Sequence, residues 1–305
     1  MTTPIKKALE TRRLVCDGAM GTQLMLAGLE QGASGELWNL THPDRVLAIQ
    51  RRYVEAGADC LITNTFGGNP LMLKRHGHAE QLREINRAAA KIARDAFGGK
   101  EGFVLGDVGP VGGVLEPYGD LKADEVREAL REQISALLEG GVDAIILETQ
   151  TSFEELGAGL DAAKAAGAPF VIASLAYDRS MDGTFFKTMM GISPEEAAEF
   201  AGEHGASVIA LNCGTGMDME AASRIVPAYK SACSLYTMVQ PNAGLPVLEN
   251  LKAVYKQTPE QMVEKLPAAL AAGANIIGSC CGSTPEHTRA IRKGVDEFNA
   301  RNAAR

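Results

Sequence analysis

The chain has 305 residues, 46% of them hydrophobic and 22% charged, and a formal net charge of −8. An acidic balance with no long Lys/Arg block argues against a nucleic-acid partner, and no run approaches the roughly 18 consecutive apolar residues of a membrane span. Six cysteines are too few for a disulfide scaffold, so any that cluster are expected to do metal or catalytic work.

Residues 1–9 are short and polar and lack the apolar centre of a secretory signal, so a cytoplasmic location is expected. The first strand candidate is 14–16. It runs into Asp17-Gly18-Ala19-Met20-Gly21-Thr22, which lacks the Gly-x-Gly-x-x-Gly spacing of a dinucleotide fold. A long loop follows, 20–43. Pro43-Asp44 then precedes a helix over 46–56, and Gly57 ends it before a strand at 59–63. His76 and His78 flank Gly77 in a polar loop and read as solvated. A helix over 79–96 leads to a strand at 103–106, which ends at Asp107.

The pattern then repeats. A helix opens at Lys122-Ala123-Asp124 and ends near Gly140-Gly141. The strand at 144–147 ends in Glu148-Thr149-Gln150. The strand at 170–175 is followed by a long segment, 178–191. Ser193-Pro194-Glu195-Glu196 supplies an N-cap, a proline and an acidic first turn. Thr258-Pro259-Glu260 and Thr284-Pro285-Glu286 repeat that signal. The strand at 208–211 ends in Asn212-Cys213-Gly214. The strand at 235–239 leads to Gln240-Pro241-Asn242-Ala243-Gly244 and a long segment, 240–257. The strand at 275–278 ends in Ser279-Cys280-Cys281-Gly282.

The strand candidates are short, aliphatic and not alternating, as in a parallel sheet covered on both faces. Eight strand–helix units predict an α/β fold, a (β/α)₈ TIM barrel formed by residues 1–305 as a single domain, with a doubly wound open sheet as the rival. In a barrel, active residues gather at the carboxyl ends of the strands. Here those ends carry polar or metal-capable residues almost every time. Any one of them, Asn64 or Asp107 for instance, reads equally well as a helix cap. The long segments 178–191 and 240–257 are candidate flaps over the barrel mouth.

Cys213, Cys280 and Cys281 carry the most specific signal. Three thiols at strand ends suit a zinc site with one open position. The rival readings are small core residues and, for the adjacent pair, a strained vicinal disulfide. Three thiolates on Zn²⁺ leave a net charge near −1. That keeps a bound sulfur nucleophilic while the metal lowers the pKa of an incoming thiol. Such a centre fits alkyl transfer to sulfur better than hydrolysis, which uses His/carboxylate ligand sets. No histidine has ligand spacing, and His287 reads as structural. Cys16 is placed near the rim, Cys60 in the core and Cys233 at a helix end, none with a role.

Six motifs together resemble the zinc-dependent homocysteine S-methyltransferase family. They are Asp17 to Thr22, Thr63-Asn64-Thr65-Phe66, Glu148-Thr149, Asn212-Cys213, Pro241-Asn242-Ala243-Gly244, and the run from Gly278 through Cys280-Cys281 to His287. Within the family the chain is most similar to the homocysteine-binding barrel of cobalamin-dependent methionine synthase. The resemblance implies zinc on Cys213, Cys280 and Cys281, with the homocysteine sulfur at the remaining position. It implies that Glu148 holds the substrate ammonium and that Asp17, Gly18 and Ala19 lie near its carboxylate. Asn64 and Asn212 are implied as supporting polar groups.

Two departures stand out. Ala19 replaces a frequent glycine, which restricts the backbone there, and Ser279 replaces a glycine before the cysteine pair, where its hydroxyl either bonds a thiolate or packs. The implied product is methionine. The implied donor is a methyl-corrinoid, free or on a carrier protein, since no Asp-x-His-x-x-Gly segment is present to ligate one. S-methylmethionine and betaine donors are the alternatives. The apolar stretch 185–190 is either a flap against the donor or core. Rival functions are a related methyltransferase acting on another thiol or demethylating a substrate toward a corrinoid protein, a zinc-binding barrel without turnover, and a barrel with structural zinc and unrelated chemistry.

Overall fold

The computed structural model describes residues 3–249 and 252–303. Eight parallel strands form one sheet: β1 (Leu14–Val15), β2 (Cys60–Ile62), β3 (Phe103–Val108), β4 (Ala144–Gln150), β5 (Val171–Leu175), β6 (Val208–Asn212), β7 (Tyr236–Gln240) and β8 (Ile276–Ile277). Their spatial order is β1-β8-β7-β6-β5-β4-β3-β2. Between β1 and β2 the circle is completed by a single parallel backbone pairing of Cys16 with Cys60, both free thiols, and by bonds from Asp59 N to Val15 O and Asp17 N to Cys60 O. The fold is the TIM barrel that the strand–helix alternation predicts.

Side chains alternate between two layers, as the pleat of a strand dictates. Leu14, Cys16, Ile62, Leu105, Ile146, Ile172, Ala210, Met238 and Ile276 fill the barrel interior. Their neighbours, among them Val15, Leu61, Val104, Leu147, Ala173 and Ile209, pack outward beneath the helices. Cys16 therefore belongs to the interior core, one residue below the rim position expected for it. The bottom of the interior is plugged by Ile5 and Leu9 of the helix Pro4–Thr11. The sequence pattern had not suggested that helix.

Helix starts follow their caps. Ser193 and Thr258 both form complete capping boxes, with Glu196 and Gln261. At Thr284 the partner is instead His287, whose Nδ1 accepts from the Thr284 N–H at 3.2 Å while Nε2 donates to Gln257 O at 3.0 Å. His287 thus ties the end of the 240–257 segment to the last helix, a structural role as expected. Each long top-face segment acquires structure of its own. The first contains the helices Met20–Leu26 and Trp38–Thr41. The others contain antiparallel hairpins pairing Asp178–Arg179 with Phe186–Lys187 and Val247–Glu249 with Lys252–Val254. In 185–190, Phe186 and Thr188 are buried while Phe185, Met189 and Met190 are exposed, so the stretch is partly core and partly surface. No helix among the described residues is long and apolar enough to cross a membrane.

Candidate metal centre and substrate pocket

Cys213 and the Cys280–Cys281 pair meet at one side of the barrel mouth. The Cys213 sulfur lies 3.3 Å from that of Cys280 and 3.4 Å from that of Cys281, and the adjacent pair are 4.0 Å apart. Among the described residues this is the group of metal-capable side chains that brings three ligand atoms together, all within 4.8 Å. A tetrahedron drawn on Zn–S bonds of about 2.3 Å has edges of about 3.8 Å. The three observed separations bracket that value.

The backbone is bent to deliver these sulfurs. Cys213 has φ +51°, a left-handed conformation that costs a non-glycine residue about 1–2 kcal/mol. Gly214 follows at φ +83°, and a Cβ there would lie 1.8 Å from the Tyr177 carbonyl, so only glycine completes the turn. On the other side Gly282 has φ +79°, and its missing Cβ is the space taken by the Tyr255 ring. The Tyr255 side chain thereby stands beside the Cys281 sulfur and favours its thiolate form.

Crowding dictates how the thiols hold their protons. Hydrogen bonds from Cys213, then Cys280, push the Cys281 thiol down to about 3 against the effect of burial. Contacts with Cys213 and Cys281, together with burial, push Cys280 well up. The trio carries one negative charge readily. The charge already present opposes loss of further protons, and a bound cation would relieve that opposition. One neighbouring oxygen is also unused: Asn242 Oδ1 is buried with no hydrogen-bond partner among the described residues. Asn242 sits between Pro241, whose carbonyl accepts from Cys280 N, and Ala243, whose N–H donates to Cys281 O. The donor set fits zinc.

Glu148 projects from the end of β4. Its carboxylate makes no hydrogen bond among the described residues. Burial, then the charges of Asp17 and Cys281, push it up to about 8. Among the described residues, Thr149 beside it is the second non-glycine residue at positive φ, +59°. Asn212 holds both strand ends. Its Oδ1 accepts from Thr149 N at 3.1 Å and Ser174 Oγ at 2.6 Å, and its Nδ2 donates to Thr149 Oγ1 at 2.7 Å. One fully buried amide thus fixes the residue after Glu148 and the residue before Cys213.

The other expected residues divide. Asp17 is 1% exposed. Its oxygens are taken by Ile62 N at 2.9 Å and the Cys16 thiol at 3.4 Å, and burial pushes it up to about 7. The Ala19 N–H is occupied by Ser283 Oγ at 3.0 Å. Ala19 itself has φ −59°, so alanine is unstrained there. Gly18 packs against Ser283 and Ser279. The Ser279 hydroxyl has no partner among the described residues, so it packs and bonds no thiolate. Asn64 spends its Nδ2 on Gly35 O and Asn39 Oδ1, anchoring the first loop. Two further acids, Glu36 and Asp107, had not been singled out as site residues; they lie near enough to interact with one another, and Asp107 also with Glu148. Glu36 comes from within that loop and bonds Gly67 N at 2.8 Å. Asp107 lies at the end of β3, where strand-end position was its only signal.

The family model described as homocysteine S-methyltransferase matches residues 14–295. The chain belongs to that family. Homocysteine S-methyltransferase relatives include the methionine synthase of Mycobacterium leprae, 33% identical over 97% of this chain, and that of Mycobacterium tuberculosis, 34% identical over 96%. The chain spans about a quarter of the length of both, 25% in each case. Among solved structures, the metallated form of the homocysteine methyltransferase MmuM from Escherichia coli superimposes with a TM-score of 0.79 over 95% of this chain and 99% of that one. Its 22% identity makes this a likeness of fold.

Proposed function

We propose that the chain is a zinc-dependent methyltransferase that moves a methyl group to the thiol of homocysteine, giving methionine. The observation that carries this reading is the triad of Cys213, Cys280 and Cys281, separated by 3.3–4.0 Å, beside the unpaired carboxylate of Glu148. Zinc, when bound, holds the substrate sulfur as a thiolate at neutral pH. Glu148 receives the α-ammonium, and the bond network of Asn212 holds Glu148 and Cys213 in fixed relation. A substrate tethered at both ends presents its sulfur in one orientation. The sulfur–carbon bond forms as the methyl–donor bond breaks, and that bonding pair stays with the donor.

A corrinoid borne on a carrier protein is the donor the surface favours. The large hydrophobic side chains that are exposed among the described residues, such as Leu26, Tyr118, Met181, Met189 and Leu248, all lie in the segments that follow the carboxyl ends of the barrel strands. That face surrounds the sulfur triad, and an apolar rim of this kind marks a docking surface.

The test uses zinc-loaded protein, homocysteine and methylcobalamin, followed spectrally. Loss of the methyl–cobalt spectrum with stoichiometric methionine supports the reading. Homocysteine binding without turnover redirects it to a sulfonium or ammonium donor, or to a corrinoid accepted only on its carrier. Zinc-loaded protein that binds no homocysteine contradicts it.

A further inference from the structure

Asp107 ends on the inner face of β3, next to the strand that carries Glu148. Its backbone is held on both sides. The N–H donates to Thr63 Oγ1 at 2.9 Å, and the carbonyl accepts from Thr65 Oγ1 at 2.8 Å and Gln133 Nε2 at 3.0 Å. The carboxylate is left over. The residue is 3% exposed, and Oδ1 is buried with no hydrogen-bond partner among the described residues. It caps nothing, because the next helix begins only at Ala123. A buried carboxylate oxygen left in this way, at the mouth end of a barrel strand, is available to a partner from outside the chain.

The surroundings say what kind of partner. Burial, then the charges of Glu148, Glu36 and Asp17, push the Asp107 carboxyl well up, and the nearby Val108 amide offsets little of this. Four acids therefore lie close enough to act on one another, but Asp17 and Glu36 have their oxygens bonded within the chain, which leaves Asp107 and Glu148 as the two with carboxylates to offer. None of them is in an ion pair among the described residues, whose salt bridges all lie elsewhere. Their oxygens are too dispersed to chelate a single metal ion, since the cysteines are the group with three ligand atoms within 4.8 Å. An ammonium suits the arrangement better. Its N–H groups diverge, which suits carboxylates offered from two neighbouring strands.

We infer that Asp107 is a second anchor for the primary ammonium of the thiol substrate, taking one N–H while Glu148 takes another. This rests on the reading of the substrate as an amino-acid thiol. It makes the site selective: a thiol without an amino group leaves the buried Asp107 and the partly buried Glu148 unpaired, a penalty larger than the loss of one contact.

The test measures binding of homocysteine and of its deaminated analogue, 4-mercaptobutanoic acid, to zinc-loaded wild type and Asp107→Asn by calorimetry. Metal content and melting temperature are followed in parallel. The expected result is a loss of about 10- to 100-fold for homocysteine, the range for a hydrogen bond to a charged group, with the analogue unchanged or tighter. Asp107→Ser, which keeps the backbone clamp, carries the same comparison if the asparagine variant does not fold. Equal loss for both ligands, or no loss for homocysteine, overturns the inference while leaving the proposed function standing. Failure of homocysteine to bind the wild type overturns both.

Discussion

Replacing Asn212 with alanine tests whether one buried amide organises the site. The substitution removes three hydrogen bonds of 2.6, 2.7 and 3.1 Å at a position with no solvent exposure. The Thr149 N–H and the Ser174 hydroxyl lose their acceptor, and Thr149 Oγ1 loses its donor. Each buried group left unsatisfied costs about 1–3 kcal/mol, with rotatable hydroxyls at the low end. A small cavity adds to this. The sum is about 3–5 kcal/mol, or about 5–8 °C in melting temperature for a chain of this length. Urea denaturation of reduced, metal-free protein reads the loss as a shift in midpoint at constant slope. Thr149 is also freed to leave its left-handed conformation, so Glu148 loses its fixed direction and homocysteine affinity falls with it. A loss below about 1 kcal/mol, with unchanged affinity, would refute the network argument.

Two further outcomes follow from the backbone and from burial. Gly214→Ala places a Cβ 1.8 Å from the Tyr177 carbonyl at φ +83°, so it should cost more than about 3 kcal/mol and abolish metal binding. A variant that melts like the wild type and retains zinc would mean that the turn relaxes freely. In the metal-free protein the Glu148 carboxyl is raised from 4.5 to about 8, so the folded state favours its neutral form. That contribution is complete below about pH 4.5 and is lost as pH rises to about 8. Glu148→Gln should therefore match the wild type near pH 4.5 and exceed it by about 2–4 kcal/mol near pH 8. A stability difference that does not change between these pH values would contradict the assignment.

What could be read from the chain and what could not divide along physical lines. Strand runs were legible because interior and helix-facing layers both demand aliphatic side chains, and the caps at Ser193 and Thr258 act within a single turn. The sulfur triad was legible because three thiols at the ends of two strands have few other uses. Glu36 was not, since only the tertiary path of a long loop brings it to Gly67. The plug formed by Ile5 and Leu9 was hidden because a short helix with two apolar residues looks like any polar terminus. Asp107 was ambiguous because a carboxylate after a strand serves caps and ligands equally. Only the clamped backbone and orphaned oxygen separate the two roles. Asn212 was noticed as a polar neighbour, but its three bonds belong to β4 and β5 as much as to its own strand.

Zinc-edge X-ray absorption of the loaded protein, with and without homocysteine, addresses the central claim most directly. The account predicts three sulfur ligands and one lighter ligand at rest, and four sulfurs once homocysteine is added. A site that already holds four ligands from the protein and does not change with the thiol would contradict it, and would leave the triad a structural metal site.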